Sequence, residues 1–184
     1  MKPDKASDFS IHRLYDSDIE DVKAHFTRLD MKNRRLRFGN PVNDGFLKQY
    51  AETILKSVSL VQGAYVDGVL RGVGEIRGLP TNWTKSAEAA LSVEEDWQNM
   101  GIGGALLKRL VATAQNRGIS QIYMMCLKEN TKMQHLATKH EAILDYDIDQ
   151  SEGRINTKWP TIGSVYEEMS AEAEHFVKAI WTSG

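Results

Sequence analysis

Two stretches of this 184-residue chain combine residue types and spacings that can do chemistry. The first is the glycine turn Gln98-Asn99-Met100-Gly101-Ile102-Gly103-Gly104, which opens an amphipathic stretch. The first turn of a helix leaves its N–H groups without intrahelical partners, and with the helix dipole they attract anions, typically phosphate. Glycine has no Cβ, so a diphosphate can lie against the backbone there. No Gly-Lys-Ser/Thr follows, so the turn is not a P-loop, and the third glycine of the dinucleotide fingerprint is missing. A glycine-eased connection between strand and helix is the plainer reading of the same residues. The second stretch is Ala87-Glu88-Ala89-Ala90-Leu91-Ser92-Val93, which places a carboxylate in a run of small apolar residues. An unpaired charge is costly there, and burial raises a carboxylate pKa toward useful base strength at neutral pH. A surface ion pair on an edge strand is the competing role for Glu88. Glu75 is the second candidate base, and it shares a strand face with Arg77, its simplest partner.

The rest of the chain supplies elements that can position these residues. Phe9 to Leu14 alternates apolar and polar residues, as a half-buried strand does. Ser17 and Glu20 have capping-box spacing, and Ile19, Val22, Phe26 and Leu29 form one face of the helix that follows. After the basic segment Lys32 to Phe38, a helix is expected over 44–56 with Phe46, Leu47, Tyr50 and Ile54 inward. Strands over 59–66 and 69–79 are joined by the hairpin signal Asp67-Gly68, and the strand with Glu88 comes next. Beyond the turn, Leu106, Leu107, Leu110, Val111 and Ala114 fall on one helical face, with Lys108, Arg109 and Gln115 on the other. Gly118 reads as the C′ stop. A strand over 119–127, a helix over 131–140 and a hairpin of 142–148 with 154–159, turning at Gln150 to Gly153, complete the core. Ser164 and Glu167 have capping-box spacing again. Val165, Met169, Phe176, Val177, Ile180 and Trp181 form the apolar side of a C-terminal helix over about 163–182. That side docks on the chain's own core or on a second copy in a homodimer.

The length suits one domain over 1–184, with its core over about 9–160. Charges nearly cancel, at net −2 with pI ≈ 6.2, which argues against a nucleic-acid partner. Cys126 is the only cysteine, so no intrachain disulfide forms. It lies in the apolar run Ile122 to Leu127, where a buried, inert thiol is expected. Met1 to Asp8 has no apolar signal core and no stretch is long enough to span a bilayer, so no membrane partner and a cytoplasmic location are expected. No His/Cys spacing suits a metal, and no Ser/His/Asp set stands out for hydrolysis.

Gln98-x-x-Gly101-x-Gly103 resembles the Gln/Arg-x-x-Gly-x-Gly/Ala signature of the GNAT N-acetyltransferases. The resemblance widens to the Ala87-Glu88-x-Ala90 strand with Val93 before the turn, and to Gly118-Ile119 and Asn130-x-x-Met133 after it. It implies an α/β fold with a mixed, mostly antiparallel sheet flanked by helices. That sheet would splay between the strand ending at Val93 and the strand starting at Ile119, with acetyl-CoA in the gap. The activity implied is transfer of an acetyl group from acetyl-CoA to an amine, either a small molecule or a protein lysine. By resemblance, Gln98, Asn99, Met100, Gly101, Ile102, Gly103 and Gly104 hold the pyrophosphate. Leu91, Ser92 and Val93 inherit the backbone amide that polarises the thioester carbonyl. Asn130 and Met133 match positions near the pantetheine arm, and an N-cap is the rival role for Asn130. Glu88 stands where the protein-lysine branch carries its catalytic Glu, and it is the expected general base.

The chain departs from the family pattern in two places. The Tyr that acts as general acid seven residues after the Asn is Ala137 here, and the usual Gly-Phe pair is Glu141-Ala142. His135, Tyr123 or water could replace the acid, or none is needed, because a thiol of pKa about 8.5 can leave as thiolate. A CoA-binding sensor without turnover is therefore the alternative function. Arg34, Arg35 and Arg37 could attract an acidic acceptor, though a basic cluster more simply forms a solvated face.

Overall fold

The computed structural model describes residues 8–57, 59–78, 85–166 and 168–169. Its centre is a seven-stranded sheet in the order β1-β2-β3-β4-β5-β7-β6. The strands are β1 Phe9–Arg13, β2 Leu60–Val66, β3 Val69–Arg77, β4 Ser86–Val93, β5 Gln121–Leu127, β6 Ile143–Tyr146 and β7 Gln150–Asn156. The helices are α1 Ile19–Arg28, α2 Met31–Phe38, α3 Asp44–Lys56, α4 Ile102–Asn116 and α5 Thr131–Lys139. All neighbouring strands are antiparallel except β4 and β5.

The β4–β5 pair is what makes room for a site. It is parallel and holds only three register pairs, Ser86 with Gln121, Ala87 with Ile122 and Glu88 with Tyr123. Past Glu88, β4 stays with β3 as far as Val93 opposite Gly72. Meanwhile β5 stays with β7 as far as Leu127 opposite Gln150. The sheet therefore opens between the two strands, as expected from the family resemblance.

Each face is closed by helices. On one face Leu107, Leu110 and Ala114 of α4 pack with Ile76, Ala89 and Ile122. The helix comes close because Gly72 has no side chain: a Cβ there would lie 3.0 Å from both Ile102 Cγ2 and Leu106 Cδ1. On the other face Val22 and Phe26 of α1 and Leu47, Ala51 and Ile54 of α3 pack with Val61, Leu70 and Val73.

Several local expectations shift. The basic segment after α1 is helical: Asp30 caps α2 by accepting from Asn33 N–H at 2.7 Å, and Gly39 ends it at φ 77. Asp18, not Ser17, is the N-cap of α1, and its carboxylate accepts the Tyr15 N–H at 2.8 Å. Phe46 is 44 % exposed, and Ala51 takes an inward place on α3 instead. The last hairpin turns at Asp147 to Asp149, so Gln150 to Gly153 lie within β7. In the tail, Thr161 Oγ1 accepts from Ser164 N–H at 3.0 Å, so Thr161 does the capping. Asn116 and Arg117 at the end of α4 bond Glu168 at 2.6 and 2.7 Å, which ties the tail there. Of the expected apolar side, Val165 and Met169 are exposed rather than docked, and Phe176, Val177, Ile180 and Trp181 lie outside the described residues.

Leu110 sits wholly buried where α4 crosses the sheet. Leu110→Ala should cost about 2–5 kcal/mol in urea denaturation, the range for emptying a packed core site. A loss below about 1 kcal/mol would show that α4 is not seated on that face as described.

Candidate active site

A cavity of ≈ 610 Å³ opens where β4 and β5 part. Its floor is the end of β4 with Leu91, Ser92 and Val93, and the start of α4 with Gly101, Gly103 and Gly104. Gly101 takes φ 87, a left-handed conformation that favours glycine, and it is the residue that caps α4. The N–H groups of the first turn thus point out of the helix end with no intrahelical acceptor. The lining carries Arg37, Lys108, Lys132 and Lys139 and no carboxylate, so the cavity suits a polyanion. Burial, then the neighbouring Lys139, hold His140 below its ordinary pKa, so this wall residue is neutral at pH 7.

The structure brings ten of the twelve expected cofactor residues into this wall: Leu91, Ser92, Val93, Gln98, Asn99, Gly101, Gly103, Gly104, Asn130 and Met133. Two are elsewhere. Ile102 is buried with Ala64, Val66 and Leu106, because its side chain is part of the α4 seat, and only its backbone belongs to the turn. Met100 is half-buried and outside the wall. Asn130 does cap α5, accepting from Met133 N–H at 3.1 Å, while it lines the cavity. Gln98 acts as a bracket. Its Nε2 donates to Val93 O and Asn33 Oδ1, each at 2.9 Å, and its Oε1 accepts from Lys132 at 2.6 Å. It thereby joins β4, α2 and α5.

A second cavity of ≈ 490 Å³ lies beside the first, and Leu36 and Arg37 of α2 line both. Its wall includes Phe38, Phe46, Tyr50, Arg77, Glu88 and Ala90. Glu88 is not the buried carboxylate expected from its strand. Its side chain is 43 % exposed and accepts from Arg77 Nη2 at 2.7 Å, because β4 faces open space on this side. The buried acid is Glu75, whose side chain is 1 % exposed and is held by Arg37 and by the Tyr50 hydroxyl. Arg77 Nε stays 3.9 Å from Glu75, so Arg77 serves Glu88 more than Glu75. Cys126 is half-buried in the same wall, 3.1 Å from Ser151 Oγ, rather than sealed in the core.

The arginines of α2 form no open patch. Arg34 bonds Leu29 O, Thr27 O and Asp44, Arg35 bonds Glu129, and Arg37 bonds Tyr50 and Glu75. Of the two substitutes for the acid, His135 lines the first cavity, and Tyr123 donates to Gln121 Oε1 at 2.8 Å outside both cavities. Ala137 is 3 % exposed and packed against the Gly153 position. One group had no local signal in the sequence: Ser92 and Glu94 on β4 and just past it meet His25 of α1, 67 and 69 residues away along the chain. Among the described residues no cluster of three His, Cys, Asp or Glu side chains is placed to hold a metal ion. No described helix is long and apolar enough to cross a membrane.

A split sheet with a cationic, helix-capped cavity on one side and a carboxylate-bearing cavity on the other is the architecture of a CoA-dependent acyltransferase. Residues 28–141 match the family model described as Acetyltransferase (GNAT) family, and the chain belongs to that family. It is an acyl-CoA N-acyltransferase whose acetyl donor is acetyl-CoA. The chain is 26% identical over 145 residues to an acetyltransferase of Pseudomonas aeruginosa, covering 77% of this chain and 78% of that one. It superposes on the GNAT domain of PAT from S. lividans with a TM-score of 0.69 at 15% identity, covering 85% of this chain and 99% of the other. It also superposes on the spermidine N-acetyltransferase from Vibrio cholerae, solved with CoA and spermine. There the TM-score is 0.66 at 16% identity, over 81% of this chain and 95% of the other. Membership in a family of enzymes disfavours the alternative of a sensor without turnover.

Acetyl-CoA should raise the thermal midpoint of the wild type, since it binds only the folded state. A Cβ at Gly103 would still lie 3.6 Å from Leu136, so Gly103→Leu is expected to fold while its side chain fills the cavity floor. The variant should lose most of the acetyl-CoA-induced shift in differential scanning fluorimetry, and an undiminished shift would remove the turn from the donor site. Tyr123→Phe should keep its turnover within about tenfold, below the usual worth of a general acid, because the hydroxyl lies outside both cavities.

Proposed function

We propose that this enzyme, a single domain over 1–184 with its core over 9–160, acetylates a primary amine on an extended aliphatic chain, such as a protein lysine side chain. The observation that carries this reading is the meeting of two unlike cavities across the split sheet, with Leu36 and Arg37 common to both. The diphosphate of acetyl-CoA would lie on the Gly101–Gly104 turn, with Lys108, Lys132 and Lys139 around its phosphates. The pantetheine arm would run along the unpaired edge of β4 past Asn130 and Met133. The thioester would then reach Leu91 to Val93, where a β4 backbone N–H can hold the oxyanion of the tetrahedral intermediate.

The acceptor would enter by the second cavity. Phe38, Phe46 and Tyr50 offer an apolar wall for methylenes, and Glu88 offers a carboxylate to the ammonium. Glu88 is open to the cavity and bonded to Arg77 alone among the described side chains, so it can take a proton from an incoming ammonium. Glu75 is held by Arg37 and Tyr50 and does not line the cavity, which makes it a poorer base. The spermidine N-acetyltransferase relative was solved with spermine, which supports an aliphatic amine as acceptor. The lysine assignment rests on the Ala87-Glu88-x-Ala90 strand and its branch of the family. We place the reaction in the cytoplasm, with acetyl-CoA.

Glu88→Gln keeps the shape and removes the proton acceptor. Steady-state kinetics should show kcat lower by about 10²–10⁴-fold with acetyl-CoA affinity held, the usual worth of a general base. Normal turnover in that variant would move the role away from Glu88. A turnover screen with acetyl-CoA against lysine peptides and polyamines tests the acceptor, and activity on polyamines alone would overturn the lysine assignment.

A further inference from the structure

Amine acetylation moves two protons, and Glu88 is placed for only one of them. One must leave the ammonium before nitrogen can attack. A second remains on the nitrogen after attack, while the departing sulfur of CoA needs one. Glu88 and Ser92 share a face of β4 and are four residues apart. At the rise of a strand that is about 13 Å, so Glu88 reaches a nitrogen docked at Ser92 only through water.

Ser92 lies in the wall of the donor cavity and is 8 % exposed. Its Oγ is 2.9 Å from Nε2 of His25, and Nδ1 of His25 is 3.3 Å from Oε1 of Glu94. His25 has no exposed surface. Glu94 is fixed by two more side chains, Arg28 Nε of α1 and Arg71 Nη1 of β3, each at 2.8 Å. Desolvation would raise the Glu94 pKa, but hydrogen bonds from His25, Arg71 and Arg28 outweigh it and hold the carboxyl below its ordinary value. An ionised Glu94 takes the hydrogen of Nδ1, which leaves Nε2 bare to accept from the Ser92 hydroxyl. Burial outweighs the pull of Glu94 and lowers His25, so the resting ring is neutral and its Nε2 lone pair faces the Ser92 hydroxyl. The remaining lone pairs of Ser92 Oγ are then free to meet a donor in the cavity.

We infer that Ser92, backed by His25 and Glu94, is the proton shuttle that carries the second proton from the attacking nitrogen to the sulfur of CoA. As the C–N bond forms, the nitrogen gives its proton to Ser92 Oγ, and Ser92 gives its own to His25 Nε2. Glu94 stabilises the imidazolium. As the C–S bond breaks, its electron pair goes to sulfur, His25 returns a proton to Ser92, and Ser92 passes one to sulfur. The products are the amide and CoA thiol, with Ser92 and His25 restored. The absence of a tyrosine at Ala137 is then no defect. Ser92 is the catalytic residue, and His25 and Glu94 act through it. This inference rests on the donor-cavity reading above.

The test is Ser92→Ala and Ser92→Thr, assayed with acetyl-CoA and the best amine from the screen. In Ser92→Ala, kcat should fall about 10²-fold, with the KM for acetyl-CoA and the acetyl-CoA-induced thermal shift unchanged. Ser92→Thr keeps a hydroxyl at the same place and should stay within about tenfold of wild type. A kcat loss of less than about threefold in Ser92→Ala would overturn the shuttle. So would a loss in which acetyl-CoA affinity falls in step with kcat, which would make Ser92 only a wall of the cavity. Absence of any thermal shift in the wild type would overturn the donor-cavity reading itself and the shuttle with it.

Discussion

The structure depends on one interrupted ladder of hydrogen bonds. A strand in the middle of a sheet normally pairs along both edges, because an unpaired backbone N–H or C=O away from water costs about 1–3 kcal/mol. Here β4 is paired with β3 over 88–93, but its other edge meets β5 only over 86–88. From Ala89 onward that edge faces a cavity. Gln98 satisfies one of its carbonyls, at Val93. The remaining N–H and C=O groups of that edge offer donors and acceptors in a row, which is what a ligand arm carrying two amides needs. In the donor site proposed above, a bound cofactor would complete that ladder.

Two buried carboxylates hold the opening in shape, one toward each cavity. Glu75 gathers Arg37 and Tyr50, so α2 and α3 are fastened to β3 beside the second cavity. Glu94 gathers His25, Arg28 and Arg71, so α1 is fastened to the end of β4. Such clusters add little net stability over apolar packing, yet breaking one leaves an uncompensated charge in the interior. Their value here is positional. They set where α2 stands between the two cavities and where Ser92 stands in the wall of the first.

The parts legible in the sequence were those written in local patterns. The α4 face of Leu106, Leu107, Leu110, Val111 and Ala114 is read from helical spacing; four are wholly buried and Val111 is half-buried at the rim of the core. Asp67-Gly68 marks its hairpin because both residues take positive φ, at 50 and 75. The glycine turn and its flanking strands carry the family signature, and the split sheet follows from it. What escaped were features fixed by contacts far along the chain. Glu88 looked buried because its neighbours on the strand are small and apolar, but strand neighbours do not decide what faces them. Glu75 looked like a partner for Arg77, and instead Arg37 from α2 reaches it. The Ser92–His25–Glu94 set had no spacing rule to betray it, since β4 and α1 meet only in the fold. Glu141 stands at φ 60 where the family carries glycine, so the backbone kept a glycine-like turn that the residue type had hidden.

The most direct test is a crystal structure of the protein with CoA. The diphosphate should lie against the backbone N–H groups at the start of α4, the pantetheine amides on the β4 edge between Ala89 and Val93, and the sulfur beside Ser92. CoA bound elsewhere, with that edge of β4 closed onto β5 or left unpaired, would contradict this placement.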